Sequence, residues 1–553
     1  MEEYTIGLDY GSLSARGVLV STKDGSVLAE CESVYKNGCI TDKLPDGTIL
    51  PEEWVLQNPY DYYDALFSIV PTLIKESGVP SFKIKGIGIA TTASTVIPVD
   101  KSLRPLSDNP DYSHRPHAWT KMWKHHAAAK EAKTINEKAS EECPELLECY
   151  GGSLNSEFFL PKVLQIYMED KNTFDASYTF LELGDYLTSL LTGTLTRSKS
   201  YLKSKTMWRE NEGYPSISFL DSLACGFGDA FIEKMCVSSF VSASPGERIG
   251  RISEDMAKRL GLSEECVITG SQMDAYAGLV GSGINAPNEM MMVLGTSSAF
   301  MILTEEERCI PGMCASVKNG MVKGFYCHAA GQASSGDALS WIVKNLVGED
   351  YYLKAEEKGL DIHSYLTSLV EKKRSKESCL IALDWLNGNK SILSDTSLSS
   401  LILGLTMDTK VEDIYRAMIE ASAFGARVIL ERLEEYGVKV KRIVASGGIS
   451  RKNPFIVQLY ADVLKRPVYV SGEKEAAAFG GALYASSACG IYNDMRDAVA
   501  AMRKPYIAIY EPRAEESEGF EELYKEYCIL YDYFGRGGNP VMKRLREREN
   551  YGK

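Results

Sequence analysis

The same local pattern occurs twice in this chain, and it constrains the fold more than any other feature. An apolar, β-branched run at residues 5–10 breaks at Gly11 and the hydroxyls Ser12 and Ser14, then resumes at 16–21. Residues 290–294 run into the tight polar turn Gly295-Thr296-Ser297 and resume at 298–303. A lone two-stranded hairpin is marginal in water and has to join a larger sheet, so two of them predict two sheets in two related halves. In the first half, residues 27–33 read as a third strand joined through Asp24-Gly25 as a two-residue hairpin turn. Asn58-Pro59 reads as a helix start, followed by Leu66, Ile69, Val70 and Leu73 at helical spacing, with Pro71 expected to kink or shorten the helix. Residues 84–91 then read as a buried strand. Strands, helix and strand in that order make an α/β domain.

In the second half, residues 411–437 carry Ile414, Ala417, Met418, Ala421, Phe424 and Val428 on one helical face and close on Gly437. A strand at 442–445, a Gly447-Gly448 turn and a helix opening at Asn453-Pro454 follow, with that helix ending before Pro467. The stretch from Phe520 onward, charged and aromatic, reads as a surface helix with a frayed end.

At 553 residues, a chain with 44% hydrophobic composition has material for two or three domains. Its 61 Lys+Arg against 75 Asp+Glu exclude a general nucleic-acid or acidic-membrane binder, because phosphate affinity needs clustered cations. An anionic ligand therefore needs a local site. The 13 Cys include no CxxC pair and read as reduced thiols, which points to the cytosol. The acidic start lacks the basic and apolar parts of a signal peptide. The longest apolar stretch, 290–303, is interrupted by Gly295 to Ser298 and falls short of the ~20 residues of a membrane span, so none is expected.

Several segments carry chemistry. Asp9 ends a strand just before the glycine and hydroxyls of the first hairpin, where backbone N–H groups can face phosphate while the carboxylate faces a metal ion. An ordinary hairpin with an Asp in its turn is the alternative. The Gly295 hairpin offers the same groups again, and two facing hairpins can grip a polyphosphate. Gly447-Gly448 lets a backbone approach a ligand, or is a plain connecting loop, and no P-loop or dinucleotide fingerprint is present. Asp274 stands where the strand at 266–269 gives way to a helix of small residues, as a helix cap or as a general base. His114, His117, His125 and His126 lack further ligands at zinc spacing and read as a polar, partly exposed or sugar-facing loop.

The run Gly447-Gly448-x4-Asn453-x4-Gln458-x2-Ala461-Asp462-x4-Pro467-Val468 resembles the C-terminal signature of the FGGY carbohydrate kinases. Trp123-Lys124-His125-His126-Ala127, Tyr150-Gly151-Gly152 with Ser156-Glu157, Leu383 through Asn389 and Tyr533-Phe534-Gly535-Arg536-Gly537 resemble the branch that phosphorylates ribulose. The resemblance covers nearly the whole chain. It implies two ribonuclease-H-like domains of the actin and hexokinase type with an interdomain cleft: a sugar-binding domain at 1–283, a nucleotide-binding domain at 284–500 and a helical extension at 501–553, hinged near 275–290. It implies ATP and Mg²⁺, transfer of the γ-phosphoryl group to L-ribulose, no nucleic-acid or membrane partner, and a homodimer.

Carried over by position, Asp274 matches the catalytic base and a sugar contact, and Asp9 the metal-linked carboxylate. Gly11, Ser12, Ser14, Arg16, Gly295, Thr296, Gly447, Gly448 and Asn453 match nucleotide-binding positions, and Ala93 and Lys205 match ketose contacts. One position departs. The branch carries a sugar-binding Glu before the Ala-Gly-Gln here at 330–332, whereas this chain has Ala329 after His328. A kinase for D-ribulose, xylulose or ribitol, or a catalytically weak sugar or nucleotide sensor, stays open as an alternative.

Overall fold

The computed structural model describes residues 2–148, 150–235, 240–313 and 315–550. Its frame is two seven-stranded sheets. In the first, Tyr4–Tyr10, Ser14–Ser21 and Val27–Val34 form an antiparallel meander. Ile84–Thr91 lies parallel to the opening strand, Val267–Thr269 lies parallel to Ile84–Thr91, and Arg248–Arg251 closes the edge antiparallel. The second sheet repeats the plan. Glu289–Leu294, Ser298–Thr304 and Tyr326–Gln332 make the meander, which Ala315–Lys318 extends. Arg442–Ser446 and Val468–Val470 follow in parallel, and Ala508–Tyr510 closes the edge antiparallel. The two hairpins thus seed two sheets of one design.

Local details depart from expectation where long-range packing intervenes. The register shifts between Leu19 and Val20, so residues 22–26 span the connection and Asp24-Gly25 is only part of it, not a two-residue turn. Asn58 caps the helix Pro59–Ser77 by accepting from the Tyr60 N–H, and the helix runs past Pro71 to Gly78. Leu66, Ile69, Val70 and Leu73 are fully buried against the first sheet, and that packing outweighs the one hydrogen bond a proline removes. Gly448 opens a short helix, Gly448–Lys452, where a plain turn was expected.

The second core gathers around the helix Val411–Glu435. The helix Ala514–Gly535 lies against it and buries Phe520, Tyr524, Tyr527 and Tyr531, with Phe424 in ring contact with the first three. It is a core element and not a surface helix. Residues 501–553 likewise supply the last strand of the second sheet.

Two helices join the halves. Ala476–Ala488 packs on the first sheet and crosses the helix Asp274–Gly281. The approach is close: a Cβ on Gly7 would lie 1.7 Å from the Ala478 carbonyl oxygen, and one on Gly88 1.9 Å from that of Gly481. Strand alternation sends Met291, Met301 and Leu303 into an apolar cluster between the sheets, shared with Val18, Val20, Ala90 and Met273, while Met290, Met292 and Ile302 face the second core.

Candidate active site

Three parallel strands of the first sheet end side by side. Asp9 pairs with Ala90, Gln272 pairs with Ala90, and Met273 pairs with Thr91. Asp274, the first residue of its helix, follows immediately. Carboxyl ends of parallel strands are where open α/β sheets present ligand sites. Met273 occupies the cap position, and among the described residues the Asp274 Oδ1 accepts from its neighbour alone, the Ala275 N–H, at 2.6 Å. Burial raises the Asp274 carboxyl to about 6, against the hydrogen bond from Ala275 and the positive charge of Lys205. Burial, then the charge of Asp274, raises Asp9 to about 8, with Arg16 opposing and Glu475 adding.

Asp9 Oδ1 is buried with no hydrogen-bond partner among the described residues. Two half-buried acids, with the charge of Asp274 opposing ionisation of Asp9 and one Asp9 oxygen orphaned among the described residues, fit a divalent cation. No cluster of three His, Cys, Asp or Glu at metal-holding distance occurs among the described residues, so a cation here would need ligands from outside the protein as well.

The first hairpin is braced from behind. The Gly11 N–H bonds the Ser14 carbonyl, and the Ser12 carbonyl accepts from Gln57. The Trp123 indole N–H donates to the Ser12 Oγ at 2.9 Å, which leaves the Ser12 proton to donate elsewhere. Ser14 and Arg16 are held by Glu32: the Ser14 hydroxyl donates to its carboxylate at 2.8 Å and Arg16 lies 3.0 Å from it. Arg16 also reaches Glu475, 3.6 Å away at the head of the joining helix.

In the second sheet, Gly295 and Thr296 lie beside Gly447. Val293 pairs with Ser446, and a Cβ on Gly447, whose φ is +91°, would come 2.5 Å from the Leu294 carbonyl oxygen. A Cβ on Gly448 meets nothing within 4 Å. Packing therefore demands glycine at 447 and leaves room at 448. Asn453 stands apart from this group in its bonding, since its side chain accepts from the Ile456 N–H and donates to Thr367.

Ala93 lies in the loop after Ile84–Thr91, and Lys205 ends the helix Lys199–Lys205 with its ammonium 4.6 Å from the Phe158 ring centre. Sequence reading missed what holds this loop. The buried Lys162 donates to the carbonyls of Ser94 and Met122, and Glu182 accepts from the Thr95 N–H. Both are charges within apolar runs, the one local signal that marks them. Ala329 faces the cluster between the sheets, whereas His328 points to the opposite face, where its Nε2 pairs with Thr304 Oγ1 at 2.9 Å. His117 and His125 are not a polar loop: both rings pack edge-on against Trp54 and are buried.

Residues 4–281 match the N-terminal domain model of the FGGY family of carbohydrate kinases, and residues 290–489 match its C-terminal domain model. The ribulokinase of Halalkalibacterium halodurans is 39% identical, covering 98% of this chain and 97% of that protein. The ribulokinase of Staphylococcus aureus strain Newman is 34% identical, covering 98% of each. A xylulose kinase from Rhodospirillum rubrum shares the fold at a TM-score of 0.78 and 21% identity, covering 96% of this chain and 98% of that one. The glycerol kinase of Plasmodium falciparum does so at 0.75 and 18%, covering 96% and 99%. No helix among the described residues is long and apolar enough to cross a membrane.

Proposed function

The chain belongs to the FGGY family of carbohydrate kinases, and on that footing we propose that it transfers the γ-phosphoryl group of ATP to L-ribulose, giving L-ribulose 5-phosphate. The observation that carries the chemistry is Asp274: a half-buried carboxyl, raised to about 6, at the end of a strand beside Asp9 and within the field of Lys205. In this reading Asp274 accepts the proton of the attacking sugar hydroxyl, a role typically contributing ~10² to 10⁴ in rate. Ala93 and Lys205 contact the ketose. Gly11, Ser12, Ser14 and Arg16 line the phosphates from one side, and Gly295, Thr296, Gly447, Gly448 and Asn453 complete the nucleotide site from the other.

Asp9 would hold Mg²⁺, which when bound would neutralise charge on the phosphates. Preorganised N–H donors and exclusion of water supply the rest, because phosphoryl transfer needs positioning more than covalent chemistry. We place the sugar domain at 1–283, the nucleotide domain at 284–500 and the remainder at 501–553. The spans of the two family models and the duplicated sheets support that division. The ribulokinase relatives support the substrate; a place in arabinose catabolism and a cytoplasmic homodimer working without nucleic acid or membrane belong to the same proposal.

Ala329 favours a second reading, a kinase of the same mechanism for another ketose or a polyol. Ala329 accepts no hydrogen bond, and His328 on the opposite face cannot stand in for a carboxylate. Incubation with ATP, Mg²⁺ and L-ribulose, with the product resolved by ³¹P and ¹H NMR, tests the proposal. Phosphorus coupled to the C5 protons is expected. Turnover of ribitol or xylulose but not L-ribulose would select the second reading.

A further inference from the structure

The loop at 319–325 belongs to the second sheet yet is tied to the first domain next to Asp274. It joins Ala315–Lys318 to Tyr326–Gln332, the strand that carries Ala329. It closes on itself, the Asn319 N–H bonding the Phe325 carbonyl and the Asn319 side chain accepting from Gly324. Met321, Val322 and Phe325 sink into the cluster between the sheets. Its carbonyls are gripped from two directions: Gly320 receives the Gln272 amide at 2.7 Å, and Met321 receives the Tyr484 hydroxyl at 2.8 Å.

Gln272 is fully buried, and its amide is used at both ends. Oε1 accepts from the Ser200 hydroxyl at 2.5 Å and from the Met273 N–H at 2.8 Å, while Nε2 donates to Gly320. A reversed amide would set a donor against the Met273 N–H, so the orientation is fixed. Met273 is the cap residue of the helix that begins at Asp274. Ser200 lies on the helix that ends at Lys205. Tyr201, beside it, donates to the Gln272 carbonyl at 2.7 Å and pairs with Thr91 Oγ1, two residues before Ala93. One side chain thus touches the start of the Asp274 helix, the helix of Lys205 and a loop of the other domain.

We propose that Gln272 is a positioning residue that couples docking of the 319–325 loop to the placement of Asp274, so that the base is set for proton transfer when the two domains are together. The inference rests on the reading of Asp274 as base. The physical reason is that a buried amide bonded on both sides transmits a displacement of one partner to the other, and misplacing a reacting group by about 1 Å costs ~10²-fold in rate. Tyr484, reaching the same loop from the joining helix, fixes it on the second domain's side.

Gln272→Asn tests this, since it keeps the amide but shortens it by one methylene and breaks its bond to the Gly320 carbonyl, which the Ser200 hydroxyl also reaches at 3.0 Å. The measurements are kcat, the Kd for L-ribulose, sugar-free ATP hydrolysis, and the compaction by small-angle scattering on adding L-ribulose with Mg²⁺ and a non-hydrolysable ATP analogue. The expected result is a kcat at least about tenfold lower, with sugar Kd and sugar-free hydrolysis within about twofold of wild type and the compaction reduced. A folded Gln272→Asn with wild-type kcat overturns the proposal, and so does a loss of kcat matched by an equal loss of sugar binding. If that variant does not fold, Tyr484→Phe decides. It frees the Met321 carbonyl and takes from Gln272 no more than the long 3.5 Å contact of its Nε2 with the Tyr484 hydroxyl, and a severalfold lower kcat with unchanged sugar Kd is expected, whereas wild-type kcat overturns the coupling. Full activity of Asp274→Asn would instead remove the base assignment itself, a separate outcome.

Discussion

Asp274 is legible at the residue scale only in outline. Its position after an apolar strand allowed a cap or a base, and local sequence has no means of separating them. The structure gives the cap position to Met273 and leaves Asp274 with one short bond to its own neighbour. Because a base acts in its ionised form and burial raises this carboxyl to about 6, kcat/KM should fall as pH drops through about 6 and level off above it. A profile still flat at pH 5 would remove Asp274 from that role. The adjacent glycines separate two roles in the same way. Gly448→Ala should raise KM for ATP with Tm unchanged, since its Cβ would enter open space, whereas Gly447→Ala should lower Tm because of its φ of +91° and the Leu294 carbonyl at 2.5 Å. Equal behaviour of the two variants would contradict a ligand at Gly448. Lys162 and Glu182 stayed unread because the backbone atoms they hold lie far along the chain, and Gln272 because Ser200 and Gly320 do.

Elements were readable where their signal is local. The hairpins, the Asn58 cap and the face of Val411–Glu435 all follow from spacing within one or two turns. The C-terminal helix did not yield, because its aromatics alternate with glutamates and their partner Phe424 lies on a distant helix. That misreading is itself testable. Phe424→Ala should cost about 3 to 5 kcal/mol in urea unfolding, the usual loss for a buried phenylalanine, and a cost under about 0.5 kcal/mol would return Ala514–Gly535 to the surface. Gly7 and Gly88 make a similar point: nothing beside them in the sequence marks their role, and in the fold they are where the helix Ala476–Ala488 touches the sheet.

For the whole molecule, the duplicated sheets bring two hairpins and one acidic pair into a single frame, and activity should depend on the divalent cation proposed at that pair. Excess chelator should abolish turnover, and Asp9→Ala should lower kcat and weaken the dependence on Mg²⁺; full activity in chelator would contradict the role given to Asp9. The arrangement of the sheets was foreseeable from the repeated pattern, while the choice of sugar was not, because Ala329 departs from the expected carboxylate. The most direct measurement compares wild type with Asp274→Asn on a panel of L-ribulose, D-ribulose, both xyluloses, ribitol, L-arabinitol and glycerol, following ADP and sugar phosphate together. The account predicts stoichiometric ADP and phosphate ester with L-ribulose for the wild type and a loss of at least ~10²-fold in the variant, with its fold intact because Asn matches Asp in size and the cap position belongs to Met273. Sugar-independent ADP release alone, or an Asp274→Asn enzyme within about tenfold of wild type, would contradict it.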